Sequence, residues 1–201
     1  MKSLCRVRSN SPYVAVTGGI GSGKSYVCQL LESYYGIAVY DCDAVAKRLM
    51  KTSERLRMQL QQLVGEQVYI DGQLQTAVLA QFLLMSESNK QSLNSIVHPA
   101  VAEDFLHSGY HWLESAILFE SGFDKRIDFG YVICVSAPLN VRVERIRSRD
   151  HISEDKARAW IAAQMSQREM EERSDAVILN DGHTDLLPQM AQVLSAMKAE
   201  G

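Results

Sequence analysis

The sequence lacks the features that mark membrane, secreted and nucleic-acid-binding proteins. No apolar run reaches the ~20 residues that a membrane-spanning helix needs, and residues 1–11 carry three basic side chains without the apolar core of a signal peptide. The net charge is −3, whereas nucleic acids and anionic membranes usually bind basic surfaces. We therefore expect a cytoplasmic protein with no membrane or nucleic-acid partner. Residues 1–11 are expected to form a short flexible lead-in to the first strand.

Cysteine is sparse and scattered along the chain. Cys5, Cys28, Cys42 and Cys134 form no Cys-x-x-Cys pair, which argues against a metal or redox site of that type. We expect them to be small buried apolar side chains in a reduced protein. At 201 residues, the chain is long enough for one α/β domain with insertions.

The strongest signal that is present is a glycine-rich segment. It reads Gly18-Gly19-Ile20-Gly21-Ser22-Gly23-Lys24-Ser25, the spacing of a phosphate-binding loop, or P-loop. An apolar run at 13–17 predicts a strand before it, and helical periodicity over 25–35 predicts a helix after it. This geometry directs backbone N–H groups and a helix N-terminus at a phosphate. We predict that residues 19–25 bind ATP, with Lys24 at the β and γ phosphates and the Ser25 hydroxyl on Mg2+.

Four further apolar runs predict the remaining strands of a sheet. They lie at 37–40, 116–119, 131–135 and 176–179. Because they alternate with helical patterns, we predict a five-stranded parallel sheet in a three-layer α/β/α fold. Active sites in such sheets form at the carboxyl ends of the strands, where we expect the P-loop, Asp41, Asp43 and Glu120.

A helical insertion is predicted at about 51–110. Apolar residues repeat there at helical spacing, as at Leu56, Leu60 and Leu63, and no long apolar strand occurs. The pairs Asp71-Gly72 and His98-Pro99 predict a turn and a break. We expect this insertion to shape the site of the acceptor substrate, within a core of about 12–50 and 111–201.

A polar helical stretch at about 140–174 is rich in arginine. Arg145 and Arg149 lie four residues apart and so share one helical face. Arginines on a mobile segment would neutralise a transferring phosphoryl group and exclude water on closure. We predict an arginine-rich lid in which Arg145 acts in catalysis. The alternative is a solvated helix face whose arginines pair with neighbouring acidic residues.

Two carboxylates, Asp41 and Asp43, follow the second predicted strand. A kinase that phosphorylates a hydroxyl benefits from a carboxylate that accepts its proton. We predict that these two carboxylates divide this task with the orientation of Mg2+. For either residue the alternative is an N-cap of the following helix.

Other P-loop classes fit less well. The Asn-Lys-x-Asp motif of GTPases is absent, because Ser92 stands where its aspartate would follow Asn89-Lys90. The chain also has no room for the motor domains of helicases or transporters. A small-molecule kinase is favoured. Which one is left open at this point, since another small-molecule kinase or a nucleoside monophosphate kinase would share the scaffold, and the alternative from a different class is a nucleotide-binding regulatory protein that uses ATP as a switch without turnover.

The ordered set of motifs resembles the dephospho-coenzyme A kinase family over nearly the whole chain. The matching segments are 16–25, 41–43, 71–74, 96–99, 117–120, 145–149, 163–164 and 176–182. The resemblance implies transfer of the ATP γ-phosphoryl group to the ribose 3′-hydroxyl of dephospho-CoA, the last step of coenzyme A synthesis. We accordingly expect ATP and dephospho-CoA as small-molecule partners, Mg2+ as cofactor, and a monomer or weak homo-oligomer.

The resemblance also implies roles for individual nucleotide-site residues. Asp43 matches the proposed base of the family. Arg145 and Arg149 match lid arginines that approach the ATP phosphates. Asn180 and Gly182 match the loop on the adenine side.

On the acceptor side, the resemblance implies substrate contacts at His98 and Glu120. For His98, helix capping before the following proline is the alternative. The chain departs from the family pattern at Thr76, where an arginine is common, and at Arg142, where a glutamine is usual. The change at Thr76 removes one expected cationic contact with the substrate.

Overall fold

The structure of the protein is a computed structural model that describes residues 10–199. Residues 1–9 of the expected lead-in lie outside the described residues. The chain divides into two compact units. One comprises the chain up to Tyr40 and from Tyr110 onward, and the other runs from Asp41 to Gly109.

Helices and strands alternate along most of the chain. The elements in order are β1 (Val14–Thr17), α1 (Lys24–Tyr35), β2 (Val39–Asp41), α2 (Cys42–Thr52), α3 (Glu54–Val64), β3 (Tyr69–Ile70), β4 (Gln73–Leu74), α4 (Thr76–Met85), α5 (Glu87–His107), β5 (Trp112–Glu114), α6 (Phe123–Arg126), β6 (Tyr131–Ser136), α7 (Leu139–Asp150), α8 (Glu154–Ala162), α9 (Gln167–Glu172), β7 (Ala176–Leu179) and α10 (Leu186–Ala199). A 3-10 turn at Glu66–Val68 precedes β3.

The first unit is built on a five-stranded parallel sheet of order β2-β5-β1-β6-β7. In its register Val14 of β1 lies opposite Trp112 of β5 and Tyr131 of β6. The predicted five-stranded parallel sheet is thus confirmed. Because β1 is the middle strand, the loop that follows it lies at the centre of the carboxyl edge.

The two faces of this sheet differ in polarity. Alternate residues of a strand point to opposite faces, and on one face apolar side chains of β1, β6 and β7 pack with α1 and α10. The other face carries more polar side chains near the carboxyl edge, where Thr17, Cys134 and Ser136 are buried. Helix α9 packs against β6. The sheet therefore has an apolar core on one face and polar groups near the loop on the other.

One predicted strand is wrong in position. The apolar run 116–119 forms a turn, and the strand is Trp112–Glu114, immediately before it. Leu118 and Phe119 are nevertheless buried. The apolar run correctly predicted that these residues are buried, but a short apolar run does not distinguish a strand from a buried turn. The carboxylate at this strand end is consequently Glu114 and not Glu120.

The second unit is helical around the 21-residue α5. Helices α2, α3 and α4 pack against α5, and a two-residue hairpin joins β3 to β4. Its turn is the predicted one, with positive φ at Asp71 and Gly72. The predicted break at His98-Pro99 is wrong, as is capping by His98, because α5 continues through both residues. Buried Val97 and Val101 on either side of Pro99 hold the helix together despite the lost backbone hydrogen bond.

Two of the three described cysteines are buried. Cys42 and Cys134 are buried as predicted, Cys28 is partly buried, and Cys5 lies outside the described residues. Burial, with a smaller effect of the Glu171 carboxylate, raises the pKa of Cys134 to about 12, so its thiol is neutral. Within residues 10–199 no helix is both long and apolar enough to cross a bilayer.

Two isomeric residues on β7 test the core assignment. Ile178 is 1% exposed in the apolar core, whereas the adjacent Leu179 points the other way and is 37% exposed. We expect Ile178→Ala to lower the free energy of unfolding by about 2–5 kcal/mol because it leaves a cavity. Leu179→Ala, which removes the same number of carbons, should change it by less than about 1 kcal/mol. Urea unfolding measures both, and equal effects would contradict the assignment.

Candidate active site

The glycine-rich loop joins the end of β1 directly to the start of α1. Gly23 is the N-cap of α1 and takes a left-handed conformation, with φ 87. A Cβ at this position would lie 2.2 Å from the amide nitrogen of Asn180, so glycine is needed for both conformation and space. No described side chain caps this helix. Its first backbone N–H groups are therefore available to an anion.

Lys24 lies under the loop with little exposure. Its Nζ is 3.5 Å from the carbonyl oxygen of Gly19 and 3.8 Å from the Glu114 carboxylate. Glu114 is the last residue of β5, the neighbour of β1 in the sheet. Sequence reasoning missed Glu114 because it placed the strand at 116–119. The hydrophobicity of the surrounding residues does not reveal Glu114. Its place at the end of the strand that pairs with the P-loop strand does.

Arg145 and Asn180 hold the second half of the loop. Nη1 of Arg145 donates to the carbonyl oxygens of Gly21 and Ser22 at 3.3 and 3.2 Å. Its Nη2 donates to Oδ1 of Asn180 at 3.0 Å, and Nδ2 of Asn180 donates to the Ser22 carbonyl at 2.9 Å. Gly182 follows, also close to Arg145. The structure therefore brings these predicted residues together around the loop, from α7 and from the end of β7.

The peptide of Ile20 at the tip of the loop is held on both sides. Its N–H donates to Oε1 of Gln164 at 2.7 Å, and its carbonyl accepts from Nε of Arg142 at 2.9 Å. Gln164 follows α8, and Arg142 lies on α7. Three side chains of the arginine-rich stretch, those of Arg142, Arg145 and Gln164, thus contact the loop.

Other arginines of the same stretch have a different environment. Arg149 is exposed and makes a double hydrogen bond to Asp150, which raises its pKa. Further exposed pairs along the helices are Arg147–Glu144, Arg158–Glu154 and Arg168–Glu172. For these pairs the structure matches the alternative of a solvated helix face. Arg149 shares a helical face with Arg145 but has different partners, because Arg149 lies in the last turn of α7 beside Asp150.

The predicted carboxylates and histidine of the second unit lie at the start of α2 and on α5. Oδ1 of Asp41 accepts from the N–H of Ala44 at 2.9 Å, so the N-cap alternative holds for Asp41. Asp43 lies in the first turn of α2 and is exposed. His98 is partly buried in the middle of α5.

The two remaining predicted residues lie in the first unit. Ser25 is the second residue of α1 and is exposed. Glu120 is exposed in the turn after β5, where its Oε1 accepts from the N–H of Met165 at 2.9 Å. Glu120 therefore contacts the segment between α8 and α9.

The charges around the loop favour a phosphate chain. Lys24, Arg142 and Arg145 all donate to backbone carbonyls of residues 19–22, and one carboxylate, Glu114, pairs with Lys24. Cations placed in advance around such a loop stabilise the charge that develops during phosphoryl transfer. Among residues 10–199 no cluster of three metal-ligating side chains occurs.

A parallel sheet with a glycine-rich phosphate loop after its central strand, and basic side chains around that loop, defines a P-loop kinase. The family model for dephospho-CoA kinase (CoaE) matches residues 12–185. The chain belongs to the dephospho-CoA kinase family, as the resemblance of its motifs implied.

Curated relatives match over most of their length. A dephospho-CoA kinase of Bacteroides fragilis is 40% identical over 189 residues, which cover 90% of this chain and 91% of the relative. One of Porphyromonas gingivalis is 35% identical over 194 residues, which cover 93% and 95%.

Solved structures agree on the fold. TT1252 from Thermus thermophilus is similar with a TM-score of 0.76 and 32% identity, over 96% of this chain and 98% of that one. The dephospho-CoA kinase from Campylobacter jejuni has a TM-score of 0.66 and 20% identity, over 95% and 100%. A shikimate kinase from Acinetobacter baumannii has a TM-score of 0.54 and 14% identity, over 95% and 94%. The last two likenesses, at low identity, show the fold alone.

Proposed function

We propose that the loop 18–25 holds the phosphates of ATP and that Lys24 and Arg145 neutralise the charge on the transferring phosphoryl group. The observation that carries this proposal is the convergence of Lys24, Arg145 and Asn180 on the loop backbone. The overall reaction follows from family membership: the chain phosphorylates dephospho-CoA with ATP to give coenzyme A, the final step of coenzyme A biosynthesis.

The acceptor atom in this proposal is the ribose 3′-hydroxyl of dephospho-CoA. Its oxygen attacks the γ-phosphorus, the bond to the β–γ bridging oxygen breaks, and ADP leaves. The hydroxyl proton passes to the carboxylate of Asp43, which is exposed on the first turn of α2 and so accessible to a substrate. His98 and Glu120 are proposed to contact the acceptor.

Ser25 and Glu114 are the groups that we assign to Mg2+. A serine hydroxyl at the start of α1 and a carboxylate beside Lys24 are the oxygen ligands that Mg2+ accepts together with phosphates. The ion would neutralise charge on the β and γ oxygens. Asp41 remains a candidate for orienting the ion through Oδ2, since its Oδ1 caps α2.

On the nucleotide side, we assign Asn180 and Gly182 to the adenine end of ATP. We place the enzyme in the cytoplasm, as a monomer or weak homo-oligomer with no nucleic-acid or membrane partner.

A panel of acceptors tests the proposed reaction. We expect ATP consumption to be faster with dephospho-CoA than with AMP, CMP or shikimate, because the family determines the acceptor.

Lys24→Ala tests the role of the loop lysine. It should leave the fold intact and lower kcat by about 10²–10³-fold or more, since it removes a charge that stabilises the transferring phosphoryl group. Lys125→Ala, an exposed lysine of α6, is the control. Faster phosphorylation of another acceptor, or near-normal turnover of Lys24→Ala, would contradict the proposal.

Asp43 and Asp41 form a matched pair for testing the base. Asp43→Asn keeps the side-chain shape but cannot accept the proton, so kcat should fall by about 10²–10⁴-fold with little change in ATP affinity. Asp41→Asn preserves the N-cap of α2, because asparagine caps as well as aspartate, and its effect should be smaller. Steady-state kinetics measure both. A larger loss of kcat in Asp41→Asn would reverse the two assignments.

We also propose that the stretch 140–174 closes over bound ATP as a lid and brings Arg149 to the phosphates. The segment is polar, and its exposed ion pairs contribute little to stability. Backbone hydrogen exchange in α8 should therefore slow when a non-hydrolysable ATP analogue is added. Exchange in α10, which packs against the sheet, serves as the internal control. Unchanged exchange in α8 would favour a static helical face.

A further inference from the structure

Arg142 lies directly on the phosphate loop. Its side chain comes from α7 and is 4% exposed. Besides the Nε contact with the Ile20 carbonyl, Nη1 donates to Oε1 of Gln167 at 3.3 Å. A Cβ built on Gly19 would lie 2.2 Å from Nη2 of Arg142, so the guanidinium occupies the space beside that glycine. A larger residue at position 19 would have to displace this guanidinium.

The charge of Arg142 has no carboxylate partner among residues 10–199. Its Nη2 is buried without a hydrogen-bond partner in that part of the chain. Glu171 accepts from Ser136 and Gln167 instead. Burial lowers the pKa of Arg142, as expected of a cation removed from water. Buried cations in proteins are normally paired, since an unpaired one is destabilising.

Several other cations have the carboxylate partners that Arg142 lacks, and Arg145, which donates to carbonyl and amide oxygens, is less buried. Lys24 pairs with Glu114 under the same loop, and Arg158 and Arg168 pair with glutamates on the exposed helices. Arg142 thus combines deep burial, contact with a phosphate-binding loop and an unsatisfied donor. A guanidinium in this situation is suited to an anion that the protein itself does not provide.

We propose that Arg142 is a phosphate-binding cation of this loop and that the phosphate chain of the nucleotide is its anionic partner. The proposal rests on the proposed binding of ATP by the loop 18–25. The charge of Arg142 acts in a poorly solvated environment, where attraction to a phosphate is stronger than in water. The same charge, unpaired, lowers the stability of the protein without nucleotide.

Because of this dual effect, removing the charge of Arg142 should weaken nucleotide binding without destabilising the nucleotide-free protein. Arg142→Gln retains a donor for the Ile20 carbonyl but removes the charge. Affinity for a non-hydrolysable ATP analogue should weaken by about 10- to 100-fold, the range of a charge-assisted hydrogen bond. The melting temperature without nucleotide should stay the same or rise. Arg142→Lys keeps the charge and should retain most of the affinity.

The experiment is calorimetric titration of the full chain with the ATP analogue and with AMP, together with thermal melts without nucleotide. Arg126→Gln, an exposed arginine of α6, is the matched control and should bind like the wild type. The loss in Arg142→Gln should be smaller for AMP than for the ATP analogue, because AMP lacks the β and γ phosphates.

Each result has a defined meaning. Arg142→Gln that binds the analogue as tightly as the wild type would overturn the proposal. A lower melting temperature or failure to fold would also overturn it, since this outcome identifies Arg142 as a structural support of Ile20. Failure of the wild type itself to bind the analogue would instead contradict the proposed function of the loop.

Discussion

The structure of the site depends on the close approach of side chains to the backbone of residues 19–23. Arg142 fills the space beside Gly19, and Asn180 fills the space beside Gly23. Both side chains take the space that a Cβ would need, and both donate to carbonyl groups of the loop, those of Ile20 and Ser22. The parallel sheet makes this possible, because the strand before the loop and the strand before Asn180 end at the same edge.

Charge is distributed unevenly around this loop. Lys24 is partly compensated by Glu114, whereas Arg145 and Arg142 contact neutral carbonyl and amide oxygens. A site with such an excess of buried positive charge attracts polyanions and is less stable without them. Binding of ATP and stability of the fold are therefore coupled at the loop, and α7, which carries both arginines, is coupled to it as well.

Most of the helices and strands could be predicted because glycine spacing, turn residues and hydrophobic periodicity depend only on residues close together in the sequence. The glycine spacing and the Asp71-Gly72 turn were placed correctly, as were the strands that begin at Val14, Tyr131 and Ala176. The errors occur where burial by distant residues overrides a local signal. Pro99 lies inside α5 because the residues around it are buried in the second unit, and the buried run 116–119 forms a turn beside the true strand.

The sequence by itself determined the class of fold, the phosphate loop and the family, because motif spacing and hydrophobic periodicity are properties of neighbouring residues. Only the tertiary structure decided which charged side chains meet the loop. Arg145 and Arg149 are equivalent by helical spacing, yet Arg145 contacts the loop and Arg149 pairs with Asp150. Likewise Glu114 and Arg142 became site residues through the order of strands and the packing of α7 against the loop. Such contacts join residues about a hundred positions apart, which no local pattern records.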